Sequence, residues 1–191
     1  MKNFIVGSIA LYCFGMMVYA IWSYLAFVGL EKRDWVGSLV YIPHGVRVMA
    51  MCYFGYRSIP ALYAIEITGP IMVYPEQYFD VWPIASIASL LSVVAACEIV
   101  KWSFSNTKGT IFMPINFTNY RSLVLVIVLS GLLNAISSNL VTSYLAGIDL
   151  SVTVIARFFV GDVIGASVLV LFLSALFTTL RVNRLLVSDK L

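Results

Sequence analysis

Long apolar stretches alternate with short polar segments along the whole chain. Most of the stretches reach the roughly 20 residues that an α-helix needs to cross a bilayer, and only the third is shorter. Backbone groups at membrane depth have no water to bond, so these stretches are expected to be helical. The pattern therefore predicts an all-α protein with six membrane-spanning helices, at about residues 4–30, 35–56, 59–74, 81–104, 119–146 and 150–180.

Proline and glycine interrupt two of the predicted spans. The run Pro43-His44-Gly45 predicts a break near the start of the second span, since proline inside a helix removes a hydrogen bond. Gly69-Pro70 predicts a kink in the short third span. Ser58 and Asp80 precede the third and fourth spans and are their expected N-caps.

Lysine and arginine fall unevenly on the two sides of the predicted spans. If the N-terminus is inside, the outer face keeps only Lys32 and Arg33. The inner face then collects Lys2, Arg57, Lys101, Lys108, Arg121, Arg181, Arg184 and Lys190. Because cytoplasmic loops carry the excess of basic residues, both termini are expected in the cytoplasm. Residues 1–181 then form a single six-span domain, and residues 182–191 form a short cytoplasmic tail.

Composition agrees with a protein whose main solvent is lipid. Hydrophobic residues make up 61% of the chain, charged residues 11%, and the mean hydropathy is +0.97. A soluble domain carries about 25% charged residues. The net charge of +3 does not indicate nucleic-acid binding, because the basic residues stand at the edges of apolar stretches. Cys13, Cys52 and Cys97 lie inside those stretches without CxxC spacing, so they are interpreted as small buried hydrophobic residues.

The sequence carries few arrangements that would support catalysis. It has no glycine-rich phosphate loop, no HExxH motif and no Ser–His–Asp set with a defensible spacing. A single histidine makes neither a metal site nor a haem site. No enzymatic activity, cofactor or metal is therefore predicted.

Polar side chains at membrane depth are the strongest candidates for function, because hydrocarbon disfavours them unless they are paired or used. Arg47 lies one turn after Pro43-His44-Gly45. Either this stretch is a partly unwound helix that lines a ligand cavity with His44 and Arg47, or Pro43 and Gly45 only shape the helix and Arg47 extends toward the headgroups.

Glu66 stands in the middle of the third span, where it is hard to explain as lipid-facing. It is expected either to pair with Arg47 or Arg157 or to act as a protonatable or ligand-contacting group. Glu98 precedes Lys101 by three residues, a spacing that favours a local ion pair.

The sixth span carries Arg157 and Asp162, whose spacing of five residues makes them poor partners for each other. Gly161 and Gly165 form a small-xxx-small pair that is expected to admit a neighbouring helix close to Asp162. Asn134 on the fifth span is a further interhelical hydrogen-bonding group. These residues form either a ligand site or a structural cluster that joins helices.

Several segments together resemble one bacterial family. These are Ile42-Pro43-His44-Gly45-Val46, Gly55-Tyr56-Arg57-Ser58-Ile59-Pro60, residues 94–100, residues 119–137, and Gly161-Asp162-Val163-Ile164-Gly165 after two phenylalanines. In this order they resemble the membrane-associated sensor domains, first type, of bacterial signalling proteins. The resemblance implies a multi-pass inner-membrane domain, usually placed before a kinase, cyclase or phosphodiesterase output domain. No output domain follows Leu191, so a stand-alone module that acts through partners is expected.

Three functional hypotheses remain open from the sequence. The first is a non-catalytic sensor-type module in signal transduction or complex organisation. The second is a binding or transport subunit similar to the membrane substrate-capture component of vitamin transporters. The third is a ligand-free membrane scaffold. The expected partners are the lipid bilayer, membrane proteins or further copies of the chain, and for the first two hypotheses a small polar ligand.

Overall fold

The computed structural model of the chain describes residues 2–26, 38–72, 81–104, 120–147 and 149–188. It is 93% helical, and no β-strand occurs in these ranges. The helices are α1 (Lys2–Leu25), α2 (Ile42–Phe54), α3 (Ile59–Thr68), α4 (Trp82–Phe104), α5 (Tyr120–Ala146) and α6 (Val152–Ser188). Short 3₁₀ segments follow α2 at Gly55–Ser58 and α3 at Pro70–Met72. The predicted all-α class is confirmed.

Four of the helices are long and apolar enough to cross a membrane, which indicates a membrane protein. They cover Phe4–Leu25, Trp82–Ser103, Tyr120–Ala146 and Val152–Leu180. The other two are shorter than the spans predicted for them, since α2 has 13 residues and α3 has 10. At 1.5 Å per residue they extend only about 20 and 15 Å, against a hydrocarbon core of about 30 Å.

The predicted break at Pro43-His44-Gly45 is wrong, because α2 begins at Ile42 and places the proline in its first turn. The N–H groups of a first turn have no partner within the helix, so proline costs nothing there. Residues 38–41 are not helical. They are held between two helices, since the Tyr41 N–H donates to the Gly161 carbonyl at 2.9 Å and Trp22 Nε1 donates to the Val40 carbonyl at 2.6 Å.

The helices α2 and α3 form an antiparallel hairpin. Gly55 ends α2 with a positive φ of 59°, a conformation that glycine adopts without strain. Ser58 stands at the N-cap position of α3 as predicted, but its hydroxyl donates to the Gly55 carbonyl at 2.6 Å and makes no capping bond to α3. The other predicted N-cap, Asp80, lies outside the described residues. The α-helical part of the third span ends at Thr68, directly before Gly69-Pro70.

The hairpin packs among the long helices. α4 packs along α5, and α6 packs on both α2 and α5. Buried apolar side chains from α1 to α5 fill the interior, among them Tyr19, Val48, Leu62, Val93 and Val126. The side chains of Cys52 and Cys97 are buried as predicted, whereas Cys13 is exposed.

The glycines of α6 allow a close approach of backbone, but not of the kind predicted. A Cβ on Gly161 would overlap the Ser38 carbonyl, and one on Gly165 would overlap the Tyr41 carbonyl. The neighbour is therefore the non-helical segment before α2, together with the start of α2, and not the side of another helix. Gly45 on α2 lies against Ala166 of α6, where a Cβ would come within 3.0 Å of its backbone.

Candidate functional site

His44 lies inside the helix bundle and joins α2 to α5 and α6. Its Nε2 lies 3.0 Å from the Ser130 hydroxyl, and its Nδ1 lies 3.7 Å from Asp162 Oδ2. Asn134 Nδ2 donates a hydrogen bond of 2.6 Å to the same carboxylate oxygen. All four residues are buried, with exposed fractions of 0–3%: His44, Ser130, Asn134 and Asp162. Three helices thus meet through polar contacts and not through apolar packing alone.

Arg47 and Glu66 join the two helices of the hairpin. Arg47 Nε lies 3.2 Å from Glu66 Oε1, and both side chains are buried. Arg47 Nη1 also donates to the Ser89 hydroxyl on α4, and its guanidinium lies 5.2 Å from the centre of the Tyr41 ring. Trp82 Nε1 donates to the backbone carbonyl of Glu66 at 2.7 Å. Arg47 therefore points into the protein, and the hypothesis that it extends to the headgroups is wrong.

These two groups of side chains form one continuous polar cluster. His44 and Arg47 are three residues apart on α2, so their side chains lie on the same face. Arg47 and Glu66 are also close enough to act electrostatically on Asp162. We call His44, Arg47, Glu66, Asn134 and Asp162 the polar cluster.

Four buried polar atoms of the cluster have no hydrogen-bond partner among the described residues. They are His44 Nδ1, Arg47 Nε, Glu66 Oε1 and Asp162 Oδ1. The arginine and glutamate atoms still form an ion pair at 3.2 Å, but without the alignment of a hydrogen bond. Buried polar groups are normally satisfied, and leaving one unpaired costs about 1–3 kcal/mol. The cluster therefore has capacity for a proton, a water molecule or a small polar ligand.

Arg157 differs from the other predicted site residues because its side chain is only partly buried. It lies five residues before Asp162 on α6, and Glu66 is paired with Arg47 instead. The predicted packing residues surround the cluster: Pro43 and Gly45 lie in the first turn of α2, and Gly161 and Gly165 lie on either side of Asp162.

Sequence reasoning missed two serines of the site, Ser89 on α4 and Ser130 on α5. Ser130 precedes Asn134 by four residues, which places both on one face of α5. That spacing was a usable signal. Ser89 offered none, because serine is common in apolar helices and its partner Arg47 is far away in sequence.

A second ion pair lies away from the cluster, where the hairpin turn meets α4. Lys101 Nζ lies 2.8 Å from Glu98 Oε1, which confirms the predicted local pair. The Tyr56 hydroxyl donates to the same glutamate oxygen at 2.9 Å, and Lys101 lies 5.7 Å from the centre of the Tyr56 ring. These side chains are partly exposed, with 21% for Lys101 and 33% for Glu98.

The fold and the cluster together define an all-helical protein of the membrane class with a buried ionisable site. Within the described ranges, no three His, Cys, Asp or Glu side chains are grouped so that they could hold a metal ion. Comparisons with protein-family models, with curated proteins and with solved structures found no match. The resemblance to the sensor domains stays a prediction.

Proposed function

We propose that the chain is a non-catalytic sensor-type module of a bacterial inner membrane, which acts through partner proteins in signalling or in organising a complex. The observation that carries this proposal is the polar cluster. It places ionisable groups of the α2–α3 hairpin against Asp162 of α6, and four of the polar atoms in it have no hydrogen-bond partner among the described residues. A change in what the cluster binds therefore changes the contact between the hairpin and α6, and a signal needs such a difference between two states.

The length of α6 gives that change a route out of the membrane. The helix has 37 residues and is about 55 Å long at 1.5 Å per residue. The hydrocarbon core is only about 30 Å thick, so one end of α6 extends into the water or headgroup layer. A partner protein bound to that end would detect a shift or rotation of α6.

We further propose six membrane-embedded helices with both termini in the cytoplasm. The contacts of Tyr56 with Glu98 and Lys101 support this arrangement, because they bring the hairpin turn to the C-terminal end of α4. Arg57 and Lys101 then lie at the same end of the bundle, as the positive-inside rule requires for a cytoplasmic face. A cysteine at position 57 should react with a membrane-impermeant maleimide only in inside-out vesicles, with Cys13, Cys52 and Cys97 replaced.

The unpartnered polar atoms also favour a second candidate function, a small-molecule binding or transport subunit that depends on a partner for energy. In that case the polar cluster would contact the solute itself. Solute accumulation would then depend on the cluster, and no change in gene expression would be expected in the absence of the solute.

Strains of the native host would separate these functions. The strains carry wild-type protein, no protein, Asp162→Asn or the control Glu98→Gln. The readouts are the transcript profile, recovery of partners from native membranes, and the accumulation of solutes in the cells. For a sensor, Asp162→Asn should retain its partner and yet give the transcript profile of the deletion. If the protein is a scaffold, the Asp162→Asn variant should retain its partner and the strain should keep the wild-type transcript profile. That outcome would contradict the proposal. Solute accumulation lost in Asp162→Asn, with an unchanged profile, would favour the transport subunit.

A further inference from the structure

The polar cluster holds one positive charge against two negative charges. Arg47 is the cation, and Glu66 and Asp162 are the carboxylates. Among the described residues, the other polar side chains in contact with the charged groups of the cluster are uncharged at neutral pH. Ser130 contacts His44, Asn134 bonds to Asp162, and Ser89 bonds to Arg47. The Arg47 guanidinium also lies over the ring of Tyr41, whose hydroxyl bonds to that of Tyr19. With a neutral His44 the cluster therefore carries one excess negative charge, which a low-dielectric interior strongly disfavours.

Hydrogen bonding shows where the missing positive charge belongs. Ser130 Oγ donates to the Ile127 carbonyl at 3.2 Å, so it accepts from His44 Nε2–H at 3.0 Å. A neutral imidazole with its proton on Nε2 has a bare lone pair on Nδ1. That lone pair faces Asp162 Oδ2 at 3.7 Å, and the oxygen is also an acceptor. Two acceptors face each other with no donor between them.

The other neutral tautomer does not remove the difficulty. A proton on Nδ1 would require Ser130 to donate to Nε2 and to leave the Ile127 carbonyl. The cluster would still hold one positive charge against two negative charges. In both tautomers it is one proton short of neutrality.

We propose that His44 and Asp162 form a binding site for one proton, held between His44 Nδ1 and Asp162 Oδ2. The proton comes from water, forms a bond to Nδ1 or Oδ2 and neutralises the cluster. It converts the two facing acceptors into a donor and an acceptor. A charge-assisted hydrogen bond is about 2.7–2.9 Å long, so the gap of 3.7 Å should close when the proton binds.

Closing this gap draws the first turn of α2 toward α6. Backbone already meets backbone there, at Gly165 of α6 beside Tyr41 just before α2 and at Gly45 of α2 beside Ala166 of α6. A small change in distance therefore shifts one helix against the other, since backbone meets backbone at Gly165 and only the Leu169 side chain lies beside Gly45. The inference deepens the proposed sensing role, on which its biological meaning rests, by naming the proton as the ligand.

The chain offers a direct test because His44 is its only histidine. The full chain is labelled with ¹⁵N-histidine, placed in lipid nanodiscs and studied by NMR as the pH is varied. The carboxyl carbon of Asp162 is followed in a ¹³C-aspartate sample and assigned by its loss in Asp162→Asn. We expect one titration step at the His44 ring nitrogens, at the Asp162 carboxyl carbon or at both. In Asp162→Asn the histidine step should move or vanish, and in His44→Gln the Asp162 step should do so.

Two further variants make the test specific. Glu66→Gln removes one negative charge from the cluster, so the titration midpoint should move to lower pH. Glu98→Gln removes a carboxylate of the partly exposed pair and should leave the midpoint unchanged. Circular dichroism at each pH restricts the comparison to folded protein.

Several outcomes would overturn the proton site. One is that neither group titrates wherever the protein is folded, and another is that each group titrates unaffected by loss of the other. A third is that sodium chloride at constant pH shifts the signals while pH alone does not, which would indicate a metal cation. The experiment uses the purified chain and needs no partner or cellular response. The NMR experiment can therefore refute the proton site while the strain experiment supports the sensing role. Equally, the strain experiment can refute the sensing role while the NMR experiment supports the proton site.

Discussion

Among the described residues, arginine and lysine form two ion pairs with glutamate, and the loss of one partner should have very different consequences in the two pairs. Arg47 and Glu66 are 3.2 Å apart with side chains 3% and 6% exposed. Lys101 and Glu98 are closer, at 2.8 Å, but their side chains are 21% and 33% exposed. If distance decided the strength, the second pair would matter more. We expect burial to decide, so that Glu66→Gln destabilises the protein far more than Glu98→Gln.

The magnitudes follow from the surroundings of each pair. At 3.2 Å and an effective dielectric constant near 20, the Coulomb energy of two unit charges is about 5 kcal/mol, whereas water around an exposed pair reduces it severalfold. Removing one partner of a buried pair costs about 3–5 kcal/mol, because the other charge stays buried without compensation. This cost applies to Glu66→Gln at a pH below the titration midpoint, where the proton makes the His44–Asp162 pair neutral and Arg47 has no other countercharge in the polar cluster. Exposed pairs contribute about 0.2–1 kcal/mol. For a chain of this size about 1 kcal/mol changes Tm by roughly 2–4 °C, so Glu66→Gln should lower Tm by about 6–20 °C.

Thermal unfolding of the purified protein in detergent measures the difference, with tryptophan fluorescence as the signal. Trp22 and Trp82 contact the segment before α2 and the Glu66 carbonyl, so they report on this region. The double variant Arg47→Leu with Glu66→Leu should be more stable than Glu66→Leu alone, since it leaves no buried charge of the pair. Equal and small losses of Tm in Glu66→Gln and Glu98→Gln would refute the reasoning.

Two further predictions concern packing and hydrogen bonding. Gly165→Leu should prevent normal folding, because the new side chain would overlap the backbone before α2. Gly7→Leu is the control and should be tolerated, because nothing lies within 4 Å of a Cβ at that position. The yield of monodisperse protein in detergent measures both effects. Asn134→Ala should lower Tm more than Asn139→Ala, since Asn134 bonds to the Asp162 carboxylate and Asn139 only to a carbonyl of its own helix. Removing a hydrogen bond to a charged group costs about 1.5–3 kcal/mol, and equal effects of the two substitutions would contradict this role.

Features that depend on residues close together in the sequence could be predicted. The apolar stretches predicted the long helices, and Gly69-Pro70 predicted the interruption at which α3 ends. The spacing of Glu98 and Lys101 predicted their ion pair. Each of these signals involves residues within one or two helical turns. The polar residues at membrane depth were also recognisable one by one, because charged groups are rare in apolar stretches.

The contacts between helices could not be predicted in the same way. In a soluble helix the polar face shows which side is exposed, but helices in lipid are apolar on all sides, so that signal is absent. The spacing of five residues argued against a pair between Asp162 and Arg157, but nothing local indicated that Asp162 faces His44. The start of α2 was misjudged for a related reason. Residues 38–41 are kept out of the helix by contacts with Gly161 and Trp22, both remote in sequence.

The central claim is that the charge state of the polar cluster sets the position of the hairpin relative to α6. The most direct measurement is the distance between spin labels at positions 57 and 180, with the three native cysteines replaced. Both positions are exposed, in the hairpin turn and late in α6. In nanodiscs the wild-type distance distribution should change with pH in step with the His44–Asp162 titration, and Asp162→Asn should give a single distribution at every pH. A wild-type distribution that does not change with pH, or an Asp162→Asn variant that changes as the wild type does, would contradict the account.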